Sequence, residues 1–280
     1  MTLEHKTTGT VLVKHDPIIG AYSLGIPWIP TPTEIMKRQA ILDMIVSCKP
    51  GSVFEIGCGA GALIYDLALK NFWGKGVDTS IEALTIARAL TQSFERKFRF
   101  DSEIDETDKN SYDYVFSIAV LEHIKEDGDA LEQWGECLKP DGILVLAVPG
   151  HQKLWGKNDE LSGHYRRYER SDLIRLVNNS GFSVISTYSY GYPTINILKF
   201  ISKWKSEISA YRKRRRGIRV TKSEGTAKSG IDRRIWEKIF GLYSGDSFKS
   251  LWKILFSLQR KYYGSDKGTG YVLMAKLKSV

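Results

Sequence analysis

The chain has 280 residues, 42% of them apolar and 11% aromatic, which excludes a disordered chain and a disulfide miniprotein. No apolar run approaches the ~18 residues of a membrane span. Met1-Thr2-Leu3-Glu4-His5-Lys6 lacks the charged-then-apolar layout of a secretory leader, so a cytoplasmic protein is expected. Cys48, Cys58 and Cys137 have no ligand-type spacing and fit a reducing compartment. The formal charge of +9 is uneven: from Lys199 to Gly270 there are 19 basic against 6 acidic residues, and the remainder is mildly acidic. Such asymmetry suggests an anionic partner, most of all at Arg212-Lys213-Arg214-Arg215-Arg216.

In chain order, residues 1–34 form an arm whose prolines at 17, 27, 30 and 32 predict irregular structure. Thr33 is a predicted N-cap for a helix from 35 to 46. Strand-like runs at 53–56, 74–77, 98–100, 112–117, 143–148 and 183–188 then alternate with predicted helices at 60–70, 81–92, 130–138 and 172–179, the last capped by Ser171. That alternation predicts an α/β fold with a doubly wound, mostly parallel sheet. Beyond it, 195–211 and 248–263 read as cationic amphipathic helices, 216–230 as a polar loop and 271–277 as a final strand. The core is therefore expected at 35–192 plus 270–280, with 193–269 as a basic helical insertion.

The most informative passage is Val53-Phe54-Glu55-Ile56-Gly57-Cys58-Gly59-Ala60-Gly61. A strand runs into three alternate glycines and then a helix, which permits a tight turn and exposes unpaired N–H groups to a ligand. Asp78, 21 residues after Gly57, stands where a carboxylate would accept from ribose hydroxyls. Glycines and Asp78 together indicate an adenosine-type ligand and leave NAD and S-adenosylmethionine both open.

Glu55, two positions before the first glycine, adds to this pattern. With Gly76-Val77-Asp78-Thr79-Ser80, Tyr112-Asp113-Tyr114-Val115-Phe116-Ser117-Ile118-Ala119-Val120-Leu121-Glu122-His123-Ile124 and Leu138-Lys139-Pro140-Asp141-Gly142-Ile143-Leu144, the chain resembles the class I S-adenosylmethionine-dependent methyltransferases. The resemblance covers roughly residues 35–190 and the last strand. It implies a Rossmann-like seven-stranded sheet with an antiparallel last strand, and S-adenosylmethionine as cofactor with S-adenosylhomocysteine as product. It further implies that Gly57, Gly59 and Gly61, with Cys58 between them, border the methionyl part, and that Glu55 fixes the loop and the amino group. Asp78, followed by Thr79, would bind the ribose, Asp101 and Ser102 the adenine, and Ser117 and Ala119 the sulfonium end.

On the acceptor side, His123, His151 and His164 are candidate bases, since histidine titrates near neutrality. Gly163-His164-Tyr165-Arg166-Arg167-Tyr168, after Trp155, is similar to the Gly-x-His segment of ubiquinone-type O-methyltransferases, although those continue with an aromatic and Lys-Phe. Arg166 and Arg167, with Tyr165 and Trp155, would line an acceptor site, and the arginine pair suggests an anionic acceptor. The alternative is that the arginines pair with Asp159, Glu160 or Glu169. No metal is expected, because no cluster has ligand spacing. Neither an Asn/Asp-Pro-Pro-Tyr segment nor a Pro-Cys nucleophile is present, which disfavours nucleic acid. The expected activity is O-methylation of a polar, small or lipid-linked acceptor, with the insertion as a lid or a contact to an anionic membrane surface. A nicotinamide oxidoreductase, an RNA methyltransferase and a non-catalytic cofactor-binding protein at the membrane are the alternatives.

Overall fold

The computed structural model describes residues 13–23, 28–94, 97–198 and 240–278. Seven strands form one sheet: β3 (Ser52–Ile56), β4 (Trp73–Val77), β5 (Phe98–Asp101), β6 (Tyr112–Ile118), β7 (Leu138–Pro149), β8 (Phe182–Tyr190) and β9 (Gly270–Leu277). Their order is β5-β4-β3-β6-β7-β9-β8. The first five are parallel, and β9 runs antiparallel between β7 and β8. The doubly wound, mostly parallel sheet expected from the alternation is therefore present.

Helices α1 (Pro32–Met44), α2 (Ala62–Leu69) and α3 (Ile81–Leu90) cover one face, burying Ile41, Ile64, Leu67 and Ala87 with Val53 and Phe116. Helices α4 (Asp127–Glu136) and α6 (Arg170–Asn179) cover the other, where Trp134, Leu173 and Val177 meet Phe54, Val115 and Leu144. A short α5 (Lys157–Leu161) lies in the loop after β7.

Several boundaries differ from the sequence expectation for local reasons. Helix α1 begins at Pro32 because Thr31, not Thr33, is its N-cap: the Thr31 hydroxyl accepts from Glu34 N–H, and Thr31 N–H donates to the Glu34 carboxylate at 2.6 Å. Helix α2 begins at Ala62, not at 60, since Gly59 and Gly61 hold left-handed φ of 52° and 75°. Ser171 does not cap α6. Glu169 stands at that N-cap, and its carboxylate instead accepts from Gln152 N–H and faces His151.

The arm is not wholly irregular. β1 (Val13–Asp16) and β2 (Gly20–Ser23) form an antiparallel hairpin, closed where Asp16 Oδ1 accepts from the N–H groups of Ile18 and Ile19. Strands of four residues flanking Pro17 carry too little alternation to be read from sequence. Of the expected insertion, α7 (Asp246–Arg260) is described and packs on the arm and α1. Trp252 and Phe256 join Ile19, Ile35 and Met36 in one cluster, and Gln259 Nε2 donates to Met36 O at 3.0 Å. Arg260 makes a bidentate pair with Asp43 at 2.8 and 2.9 Å. The predicted helix at 195–211 beyond residue 198, the five-cation run and the loop at 216–230 lie outside the described residues, as do 1–12 of the arm.

Candidate active site

At the carboxyl end of β3 the chain turns sharply. Gly57 has φ 71°, and a Cβ there would lie 2.2 Å from Val120 Cγ2. At Gly61 a Cβ would meet Ala87 at 2.9 Å. Only glycine serves at these two positions. Gly57 and Cys58 N–H groups donate to Val77 O, which ties the turn to the end of β4. Asp78 follows directly. Its carboxylate accepts from Gly59 N–H at 2.8 Å and from Ser80 N–H at 2.9 Å, so the expected ribose ligand and the glycine turn form one unit. The Cys58 thiol is buried, and burial, with the charges of Glu55 and Asp78, pushes its pKa far up; it is a packing residue.

Beside this turn lies a cavity with about 880 Å³ of empty space, open to solvent. It is lined by Glu55, Gly57, Cys58 and Ala60 of the turn, by Ile118, and by Lys37, Arg38, Trp28, Pro30 and the β2 residues Gly20 and Ala21. Glu55 is 3% exposed, and its Oε2 is buried without a hydrogen-bond partner. Burial, then the charges of Asp66 and Asp78, raise its pKa well above the usual carboxyl range. A buried acid lacking a donor fits a ligand that brings an ammonium group. S-adenosylmethionine carries one, and at Gly59 nothing lies within 4 Å of where a Cβ would stand, so the turn is open there. The residues present therefore fit that cofactor.

Other placements are mixed. Asp101 ends β5 with its main-chain oxygen accepting from Asp78 N–H at 3.2 Å, while its carboxylate faces Lys75 at 3.3 Å. Thr79 and Ser102 are exposed beside these acids. At the end of β6, Ser117 is buried with its hydroxyl unpartnered, and it is Ile118 that lines the cavity. Ala119 has φ 59°, a left-handed conformation rare outside glycine, and this turn leans Val120 onto Gly57.

The three histidines separate. His123 and His164 meet edge to face, with ring centroids 4.6 Å apart. Partial burial and then the His164 charge lower the pKa of His123. His164 Nδ1 lies 2.9 Å from Asp159 Oδ1, and its Nε2 lies 4.0 Å from Glu122 Oε1. Asp159 is 1% exposed and also accepts from Arg167 Nε at 2.8 Å and from Gly156 N–H. Burial alone would raise its pKa, but these bonds hold it below the usual carboxyl value. Glu122 is equally buried, its Oε2 has no partner, and burial pushes its pKa up to about 7. His151 stands elsewhere: its Nδ1 faces Glu169 at 3.3 Å and its Nε2 meets Tyr271 OH at 3.2 Å, so both ring nitrogens are engaged. Its ring is thereby held within the protein, away from the His123–His164 pair.

Both arginines expected at an anionic acceptor are paired within the protein. Arg166 donates to Asp127 at 2.5 Å, and Arg167 donates to Asp159. Tyr165 is 57% exposed and Trp155 half-buried. Among the described residues Glu122, His123 and His164 bring one donor atom each within 4.8 Å, a spacing that could also hold a divalent ion on the acceptor side. None of the three lines the cofactor cavity. Sequence reasoning missed Lys37, whose charge acts on both Glu55 and Glu122, and gave no role to Glu122 or to Asp159 as the partner of His164. The Asp159–His164 spacing of five residues was the one available signal. Lys37 had none, because α1 reaches the site only through tertiary packing.

Comparison with known proteins agrees with this geometry. A family model described as a methyltransferase domain matches residues 38–187. A ubiquinone biosynthesis O-methyltransferase from Alkalilimnicola ehrlichii is 28% identical over 115 residues, covering 38% of this chain and 47% of that protein. The enzyme of the same name from Burkholderia pseudomallei is 26% identical over 163 residues, covering 51% and 69%. The chain thus spans about half the length of the curated relatives it matches first. A putative sarcosine dimethylglycine methyltransferase from Galdieria sulphuraria has the same fold, with a TM-score of 0.56 at 12% identity over 94% of this chain and 93% of that one. With its glycine turn, Asp78 and fitting cavity, the chain belongs to the methyltransferase-domain family, among the class I S-adenosylmethionine-dependent methyltransferases.

Proposed function

We propose that the protein methylates a hydroxyl oxygen of a polar acceptor, small or lipid-linked. The observation that carries this reading is the pairing of buried Asp159 with His164, whose Nε2 lies 4.0 Å from Glu122 Oε1, four residues beyond the cavity-lining Ile118. The bound cofactor supplies an electrophilic methyl group on sulfur, so the protein's task is to hold the acceptor in line and remove its proton. Asp159 accepts from His164 Nδ1–H and leaves Nε2 with its lone pair toward the acceptor. From there Nε2 would take the hydroxyl proton of the acceptor as that oxygen is methylated. His164, 15% exposed, can then release that proton to water.

On the donor side, Glu55 and Lys37 would take the amino and carboxylate ends of the cofactor, Asp78 the ribose and Asp101 the purine. Because Arg166 and Arg167 are already neutralised, an anionic acceptor has no support from them. The basic segment 193–269 would bring the enzyme to an anionic surface. Vesicle association that rises with anionic lipid and falls with salt tests that role. No helix among the described residues is long and apolar enough to cross a membrane.

The deciding experiment incubates polar and lipid extracts with methyl-labelled S-adenosylmethionine and the protein, followed by mass spectrometry. Label recovered as a methyl ether supports the reading, and label recovered only as a methyl ester argues against a hydroxyl acceptor. Label recovered only on nitrogen, carbon or sulfur overturns it.

A further inference from the structure

Lys75, in the middle of β4, is 0% exposed and is not among the residues that line the cofactor cavity. Its Nζ lies 2.7 Å from Asp108, 3.0 Å from Asp105 and 3.3 Å from Asp101. Asp108 is itself fully buried and accepts from Tyr112 OH at 2.7 Å, while Asp101 and Asp105 are each 49% exposed. Arg99 adds a second cation 3.9 Å from Asp108. A buried lysine in a sheet is costly, and an apolar side chain of similar size would commonly serve stability as well. Its charge therefore calls for a use beyond packing.

The use is suggested by where the three acids lie. They belong to the segment leaving β5, and Asp101 pairs in register with Val77, one residue before Asp78. If Asp78 meets the ribose, the purine extends toward the next strand outward, β5, and toward the Asp101 carboxylate. An exposed carboxylate at a strand end has several rotamers, and fixing one before the ligand arrives strengthens discrimination. Lys75 reaches up from beneath the sheet edge and ties Asp101, Asp105 and Asp108 to one buried point. The Asp105 carboxylate reinforces this by accepting from Thr107 N–H, and Asp108 Oδ2 accepts from Asp105 N–H at 2.9 Å.

We infer that Lys75 is a positioning residue for the purine edge of the cofactor: it holds the Asp101 carboxylate as an acceptor for the 6-amino group and so sets a preference for adenine over a 6-oxopurine. The inference rests on the placement of Asp78 and Asp101 around the adenosine. A carboxylate held there accepts from an amino group and opposes a carbonyl oxygen at the same position.

Calorimetric titration with S-adenosylhomocysteine and with S-inosylhomocysteine measures the preference directly, without an acceptor. The wild-type protein is expected to favour the adenosyl compound by on the order of a hundredfold. Asp101→Ala should abolish most of that ratio. Lys75→Met alone would strand Asp108 as an uncompensated buried charge, so it is combined with Asp108→Leu, and Asp108→Leu alone serves as the control. The double variant should lose the ratio and the control should keep it, although both change packing; a purely structural role for Lys75 would move both affinities together. If wild type shows no preference, or Asp101→Ala keeps it, the purine placement itself is wrong. If Asp101→Ala loses the preference and the Lys75→Met/Asp108→Leu protein keeps it, only the role given to Lys75 is overturned.

Discussion

The Asp66 carboxylate on α2 receives the Arg38 guanidinium of α1 side-on, with Nε at 2.5 Å from one oxygen and Nη2 at 2.6 Å from the other. His15 Nε2 from β1 approaches the same carboxylate at 2.8 Å, so one buried acid clasps the hairpin and α1 to the rim of the cofactor cavity. Burial pushes the Asp66 pKa up, but the bonds from His15 and Arg38 outweigh it and hold the group below its ordinary value of 3.8. Its folded pKa is depressed, so the stabilisation is complete above the unfolded value and is lost as pH falls through the folded one. Melting temperature followed downward from about pH 5 should drop more steeply in wild type than in Asp66→Asn. At neutral pH the Asp66→Ala protein should be less stable by about 3–5 kcal/mol, because it leaves Arg38 unpaired.

Asp78→Ala should weaken S-adenosylhomocysteine binding by roughly 1.5–3 kcal/mol, since it removes charge-assisted bonds to the ribose and the brace on Gly59. Calorimetry gives the number directly. Affinity equal to wild type would displace the ribose from this carboxylate.

Glu55 gives a proton-linkage test. Its raised pKa means that the free protein holds a proton there to higher pH than an ordinary glutamate. A cofactor ammonium beside it would favour the ionised form, so binding should release protons and affinity should rise with pH through that window. The binding enthalpy of S-adenosylhomocysteine should therefore vary with the ionisation enthalpy of the buffer in wild type and much less in Glu55→Gln.

His164→Ala and Asp159→Asn should each lower methyl transfer by about 10²–10⁴-fold while leaving S-adenosylhomocysteine affinity unchanged. His151→Ala should act on melting temperature instead, because its ring is fixed between Glu169 and Tyr271. Transfer rates measured with labelled cofactor, beside melting curves, separate the two kinds of histidine. A larger loss of transfer from His151→Ala than from His164→Ala would reverse the assignment.

What was legible in the sequence follows how local each constraint is. The turn Gly57-Cys58-Gly59-Ala60-Gly61 and the distant Asp78 declare themselves because backbone geometry restricts which residues can stand there. The alternation of strands and helices gave the sheet for the same reason. Lys37, Trp28 and the hairpin were invisible, because they join the site by folding over it from elsewhere in the chain. For Arg166 and Arg167 the sequence left two uses open, an anion site or pairing within the protein; Arg167 meets Asp159, one of the partners named, and Arg166 meets Asp127, some forty residues earlier and out of reach of a local reading.

The position of β9 has a consequence for how the chain is made. β9 is synthesised long after β8 yet lies between β7 and β8, each of which pairs with it along its length. On the ribosome, β3 to β7 can associate as their helices emerge, and the glycine turn with Asp78 is already complete in that partial sheet. β8 has no sheet neighbour until β9 appears, and the segment between them must be held out of the way meanwhile. The nascent chain should thus complete the glycine turn before the β7–β9–β8 edge closes, and an unpaired β7 edge is the surface most exposed to wrong pairing during that interval.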